Sequence, residues 1–331
     1  MKAWKKWILA AGILGMAAVT VSCGGTEKAG NGGQEKGKLK IGVVQIMQHA
    51  SLDLANKGFI DGLKERGYDE SKVVFDQQNA QGDQSNLRSI TARFKNEKPA
   101  LICAIATPSA QAVANEIKDI PIVATAVTDF VSAKLVKSNE EPGGNVTGVS
   151  DLTPVHAQLD LGRKIVPGAK RVGLIYCSSE VNSEIQAAMV KAYCRDNQLE
   201  VVERTVNSVN DIQQVAESLV GACDFIYVPT DNVIASSVPT LVKVTDAAKI
   251  PVIAGAGSMA KDGALAALSV DYYTLGKRTA YLAADILDGK VKSENTKIGY
   301  QTEYTLIINE KSRESLGLQI PGDIMKSAEK I

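Results

Sequence analysis

The most constraining feature of this chain is a strand–turn–helix–strand unit that it carries twice. The segment Asp224-Phe-Ile-Tyr-Val-Pro-Thr-Asp-Asn232 opens with a short apolar, aromatic and β-branched run, which reads as a buried strand. The run stops at Pro229, and Thr230, Asp231 and Asn232 stand where a helix should begin, at 232–248. Ile250-Pro-Val-Ile-Ala254 reads as the next strand. The same order occurs earlier: Leu101-Ile-Cys-Ala-Ile-Ala-Thr107, a helix from Pro108, then Ile120-Pro-Ile-Val-Ala124. Thr107 and Thr230 stand 123 residues apart, Pro121 and Pro251 130 apart, and Lys40-Ile-Gly-Val-Val44 precedes Arg171-Val-Gly-Leu-Ile175 by 131. Three equivalences at nearly one offset predict two similar α/β lobes. Ligands of open α/β sheets bind beyond the carboxyl ends of the strands, so two facing lobes would make a cleft there.

Alternation supports this division. Strands are predicted at 40–46, 73–76, 100–107, 121–127 and 145–150, with helices at 53–66, 84–96 and 108–118. The second half predicts strands at 171–177, 200–206, 225–229, 251–255 and 264–270, and helices at 155–165, 181–197, 211–220, 232–248 and 272–288. Strands alternating with helices argue for parallel sheets. The expected division is 39–152 with 274–303 crossing back for the first lobe, and 153–273 with 304–331 for the second.

Residues 1–22 read as a targeting leader: Lys2, Lys5 and Lys6, then an uncharged, mostly apolar stretch at 7–21, too short for a typical membrane span. It ends with small Ser22 before Cys23 and resembles a bacterial lipoprotein leader, which implies lipidation of the Cys23 thiol. Residues 23–38 carry no apolar side chain larger than alanine after that cysteine and predict a flexible tether. Fifteen such residues reach roughly 20 Å, so the folded body would sit near a membrane face.

Several function classes fall away. With 37 basic and 37 acidic residues the chain is neutral, and nucleic acid is not an expected partner. The two histidines, His49 and His156, stand in no metal or triad motif, and no glycine-rich phosphate loop follows the first strand. No metal, cofactor or catalytic residue is expected. Cys103, Cys177, Cys194 and Cys223 show no metal spacing and read as buried thiols.

The predicted strand ends offer hydroxyls, amides and carboxylates with few cations. They are Gln48, His49, Ser51, Thr107, Ser109, Thr128, Asp129 and Asp151 in the first lobe. The second contributes Ser178, Glu180, Asn182, Ser183, Thr230, Asp231, Asn232, Asp271 and Tyr272. Asp231 and Asp271 are expected to hold an ammonium, while hydroxyls and helix N-terminal N–H groups take a carboxylate. That is the polar chemistry of an α-amino acid. Each residue alone is equally a capping or turn residue.

Six runs carry a family resemblance: Ala106-Thr-Pro-Ser-Ala-Gln111, Asp119-Ile-Pro-Ile-Val123, Ala126-Val-Thr-Asp129, Pro142-Gly-Gly-Asn-Val-Thr-Gly-Val-Ser-Asp151, Tyr227-Val-Pro-Thr-Asp-Asn232 and Val270-Asp-Tyr-Tyr273. Over about residues 38–310 the chain resembles the ABC transporter substrate-binding lipoproteins of the tryptophan/tyrosine type. The resemblance implies a type I periplasmic-binding-protein fold and an aromatic amino acid held by lobe closure. It also implies an outward-facing, lipid-anchored monomer delivering to a permease and its ATPase. One departure is that Ala50 follows His49 where the family carries proline. Phe130, Tyr176, Tyr272 and Tyr273 are the candidate ring partners. A branched-chain amino acid or a nucleoside is the alternative ligand, and a sensory lipoprotein the alternative role.

Overall fold

The computed structural model describes residues 37–331. The leader, Cys23 and the tether up to residue 36 lie outside the described residues. The first lobe begins β1 (Leu39–Gln45), α1 (Ala50–Glu65), β2 (Val73–Asn79) and α2 (Gln84–Glu97). It continues β3 (Leu101–Ile105), α3 (Thr107–Glu116), β4 (Ile122–Val127) and β5 (Val146–Ser150). The second lobe runs α4 (Val155–Ile165), β6 (Arg171–Cys177), α5 (Val181–Asp196), β7 (Glu200–Val206), α6 (Ile212–Glu217) and β8 (Phe225–Val228). Then come α7 (Asn232–Ala235), α8 (Val238–Ala247), β9 (Val252–Ala254), α9 (Gly257–Lys261) and β10 (Ala266–Ser269). The chain returns to the first lobe through α10 (Tyr272–Leu287) and β11 (Gly299–Tyr300). It finishes in the second with β12 (Thr305–Ile308), α11 (Glu310–Leu316), α12 (Gly322–Ser327) and β13 (Glu329–Lys330).

The first sheet has the order β11-β5-β4-β3-β1-β2, all parallel. The second has β13-β12-β10-β9-β8-β6-β7, parallel except where β10 meets β12. Parallel central strands are covered on both faces, and β3 and β4 are accordingly buried throughout and apolar but for Thr125. The chain passes between the sheets three times, near residues 151–154, 270–271 and 301–304. The four described cysteines are buried and unpaired.

The single helix expected at 232–248 is instead two, α7 and α8. Pro239 explains the break: it lacks an N–H and its ring would collide with the preceding turn, so it sits in the first turn of α8. α9, β11 and β13 are too short to leave a periodic signal in the sequence. The return helix α10 is pressed onto α1 at glycines. A methyl group on Gly276 would lie 2.0 Å from the Ala55 carbonyl oxygen, and one on Gly58 2.0 Å from that of Tyr273. Only glycine permits such backbone contact.

Candidate functional site

In the second lobe the polar strand ends are bonded mainly to one another. Asp231 caps α7, accepting the Ile234 N–H at 2.8 Å. Its other oxygen accepts the Cys177 N–H and the Ser183 hydroxyl, each at 2.6 Å. Glu180, at the head of α5, accepts three N–H groups on Oε2: Asn182 Nδ2 at 2.8 Å, Asn232 Nδ2 at 2.8 Å and the Asn232 backbone at 3.1 Å. Gln186 Oε1 accepts the Thr230 N–H at 3.2 Å. Burial, and then the neighbouring Asp231 charge, pushes the Glu180 carboxyl up; burial raises Asp231 as well. Two carboxyls this close and this buried resist ionising together.

The first lobe differs. Thr107, Ser109 and Thr125 are buried at the ends of β3 and β4, yet their hydroxyls have no partner among the described residues. The backbone beside them is strained: Ala106 has φ 79° and Ala126 φ 55°, the latter at an irregularity in the β4–β5 register. Non-glycine residues at positive φ cost free energy and cluster at functional sites. Asp151 lies on the first inter-lobe crossing. Its Oδ2 accepts the Tyr272 hydroxyl at 2.8 Å, and its Oδ1 has no hydrogen-bond partner among the described residues. Burial pushes its carboxyl up to about 6 despite the tyrosine bond.

The lobes touch directly across the cleft. His49 Nε2 bonds Asn232 Oδ1 at 3.1 Å, the hydroxyls of Ser51 and Ser258 lie 2.6 Å apart, and those of Thr128 and Thr230 lie 3.4 Å apart. Behind these bridges lies a small cavity of about 10 Å³, room for a single water while the lobes meet this closely. Its polar wall includes His49, Thr128, Asp151, Asn182, Asn232 and Tyr272; Leu52, Ala126, Ala235, Ala256 and Met259 make the apolar part.

Of the residues singled out from sequence, His49, Ser51, Thr128, Asp151, Asn182, Thr230, Asp231, Asn232 and Tyr272 line this cavity. Glu180 and Ser183 stand behind it, holding Asn182, Asn232 and Asp231. Thr107 is buried at the head of α3 outside the lining. Four others lie away from it. Gln48 and Ser178 are exposed and outside the lining. Asp129 caps its own turn, accepting the Ser132 N–H at 2.8 Å. Asp271 is exposed and caps α10, accepting the Thr274 N–H at 2.5 Å, so it does not face Asp231 across the cavity.

Among the ring candidates only Tyr272 lines the cavity. Phe130 is in the first lobe's core, the Tyr176 hydroxyl donates to Glu203, and that of Tyr273 donates to Asp61 on the outer surface. Sequence reading missed the apolar wall. Ala256 and Met259 follow β9, a strand end that carries Gly255, Gly257 and Ser258 and could have been included on position alone. Leu52, Ala126 and Ala235 have no signal distinguishing them from core. Among the described residues no cluster of histidine, cysteine and acidic side chains could hold a metal ion.

Residues 40–331 match the family of ABC transporter substrate binding proteins. The tyrosine-binding protein of Clostridioides difficile (strain R20291) is 42% identical over 320 residues, spanning 94% of this chain and 92% of that protein. An ABC domain from Streptococcus pneumonia, solved in complex with L-Trp, superposes with a TM-score of 0.86 at 38% identity, covering 88% of this chain and 99% of the other. A substrate-binding protein with adhesive properties from Clostridium difficile, solved open and ligand-free, is 40% identical over the same shares but superposes with a TM-score of only 0.68. The two lobes are those of the type I periplasmic-binding-protein fold, and the family is one of extracytoplasmic binding proteins rather than enzymes. On this match and these relatives, the chain belongs to the ABC transporter substrate-binding proteins.

Proposed function

We propose that this protein binds an aromatic L-amino acid between its lobes and delivers it to an ABC permease and ATPase, tethered to the outer membrane face through a lipidated Cys23. The observation that carries the ligand reading is the cavity's lining: the unpartnered Asp151 Oδ1 shares it with one other acid, Asp231, which is already bonded to Cys177, Ser183 and Ile234, and with Met259, Leu52, Ala235 and Ala256. The Asp151 carboxylate takes the ligand ammonium. The hydroxyls of Thr128 and Thr230, which line the cavity from the two lobes, take the carboxylate. The ring lies on the apolar wall, where the Met259 thioether suits an aromatic face. Relatives that bind tyrosine or hold L-Trp support the ligand class.

Closure of the lobes is the transport signal in this reading. A ligand touching both lobes stabilises the arrangement in which they meet. Its support is the better superposition on the L-Trp complex than on the open relative at similar identity, together with the direct Ser51–Ser258 and His49–Asn232 bridges.

Both tryptophans, Trp4 and Trp7, lie in the leader. Processed protein therefore has no indole of its own, and emission excited at the indole band reports bound tryptophan. Ligand-stripped protein should show saturable tryptophan emission that tyrosine displaces. If calorimetry finds no binding of tryptophan, tyrosine or phenylalanine, and finds leucine or a nucleoside bound instead, the ligand reading fails. Anchoring is tested separately: the Cys23→Ser protein should leave the membrane fraction, and retention there would refute the lipid tether.

A further inference from the structure

Glu180 does more than fill a helix cap. Its Oε2 accepts the Asn232 backbone N–H, which fixes that oxygen as an acceptor. The amide groups beside it must therefore turn their nitrogens toward it, and Asn182 Nδ2 and Asn232 Nδ2 both do, at 2.8 Å. Asn182 Nδ2 also donates to the Thr230 carbonyl at 3.0 Å, which leaves Asn182 Oδ1 unpartnered. Asn232 Oδ1 accepts from His49 Nε2 at 3.1 Å, so the proton of that ring is on Nε2. Burial lowers the His49 pKa, so the ring is neutral near pH 7 and Nδ1 is a bare acceptor, also unpartnered. Asp151 Oδ1 is the third unpartnered acceptor on the cavity.

We propose that Glu180 is a positioning residue that makes His49 Nδ1 and Asn182 Oδ1 hydrogen-bond acceptors beside Asp151 Oδ1, so that the site selects an amino acid whose ring carries its own N–H or O–H. This rests on the aromatic amino acid reading above and narrows it. The ammonium engages Asp151 and leaves acceptors that only a further donor can satisfy. Tyrosine brings a phenol O–H and tryptophan an indole N–H, whereas phenylalanine brings neither and strands a buried acceptor. Sites built to hydrogen-bond a substrate group reject analogues that lack it more strongly than apolar pockets reject a size change. The orientation of the amides needs only an acceptor oxygen at the Oε2 position, not a charge.

The test is calorimetry on the purified protein with L-tyrosine, L-tryptophan, L-phenylalanine, O-methyl-L-tyrosine and 1-methyl-L-tryptophan. Tyrosine and tryptophan should bind about tenfold to a hundredfold tighter than phenylalanine and the two capped analogues. Glu180→Ala should bring that ratio toward one, because the amides and the imidazole lose their fixed orientation. Glu180→Gln, which keeps an acceptor oxygen, should restore most of it. If Glu180→Ala shows no cooperative melt, Asn182→Ala removes a single acceptor and should weaken tyrosine and tryptophan while sparing phenylalanine. Equal affinity for tyrosine and phenylalanine in the unaltered protein overturns the inference but not the aromatic reading; no affinity for any of the five overturns both. A tyrosine preference that survives Glu180→Ala also overturns it, since a merely structural role would change stability and leave the ratio in place.

Discussion

The two sides of the cleft are built from equivalent strand ends but treat their polar groups in opposite ways. On the second lobe Glu180 with Asn232, Ser183 with Asp231 and Gln186 with Thr230 are buried and bonded. On the first, Thr107, Ser109 and Thr125 are equally buried and have no protein partner, next to strained backbone at Ala106 and Ala126. A satisfied network is rigid and specifies one geometry, whereas a stranded hydroxyl costs stability until something bonds it. The second lobe is therefore a mould finished but for Asn182 Oδ1, and the first keeps its unpartnered hydroxyls beside strained backbone.

The largest effect should come from breaking the finished side. Asp231→Ala strands the N–H groups of Cys177 and Ile234 and the Ser183 hydroxyl, and should cost about 3 kcal/mol or more of stability. Urea denaturation reads this, and a loss below about 1 kcal/mol would mean the network is not the second lobe's scaffold. Next, Asp151→Asn removes the charge at the crossing and should weaken ligand binding about tenfold to a hundredfold. Unchanged affinity in calorimetry would move the ammonium elsewhere.

Proton linkage sharpens the same contrast. The Asp151 carboxyl, pushed up to about 6 from the ordinary 3.8, binds its proton more tightly in the folded than in the unfolded chain. The stability it contributes is full below pH 3.8 and is lost as pH rises through about 6, by up to about 3 kcal/mol. Raised Glu180 and Asp231 act with the same sign. Ligand binding should slope the other way, strengthening toward tenfold per pH unit below about 6, because the ammonium needs the ionised carboxylate. Parallel slopes in melting and binding series would contradict the assignment.

Smaller effects should come from the first lobe. Thr128→Val deletes a cavity-lining hydroxyl held by long bonds at 3.4 and 3.5 Å, so stability should hold within about 1 kcal/mol, while ligand affinity falls about tenfold. A stability loss without a binding loss would make Thr128 an ordinary core residue. Smallest of all, Asp271→Asn should leave binding within about twofold, since amide and carboxylate oxygens both accept the Thr274 N–H that this residue caps.

That last case shows where sequence was readable and where it was not. Strand, turn and polar residue read correctly at Asp231 and Asp271 alike, and each caps its helix. Which carboxylate then faces a cavity depends on how the next helix leaves the sheet, and α10 leaves for the other lobe. The doubled sheet could be read because an apolar run between turn residues has few alternatives. The apolar wall could not, because Met259 and Ala235 use the same side chains to line a cavity as to fill a core. Glu180 was named, but its hold on two amides and, through one, on the His49 tautomer needs three dimensions.

The glycine contact between α1 and α10 has a mechanical consequence. In the closure proposed above, α10, its backbone pressed on α1 at Gly58 and Gly276, would travel with the first sheet as one solid arm. Rotation between the sheets would be left to the three short crossings, and Asp151 and Tyr272, bonded to each other, sit on one of them and at the end of another. They are at the axle; Met259 and Asn182, out on the second lobe, are at the rim. An axle barely moves as the jaws swing, so the charged end of a ligand would keep its grip throughout, and only the rim would measure whether the ring fits.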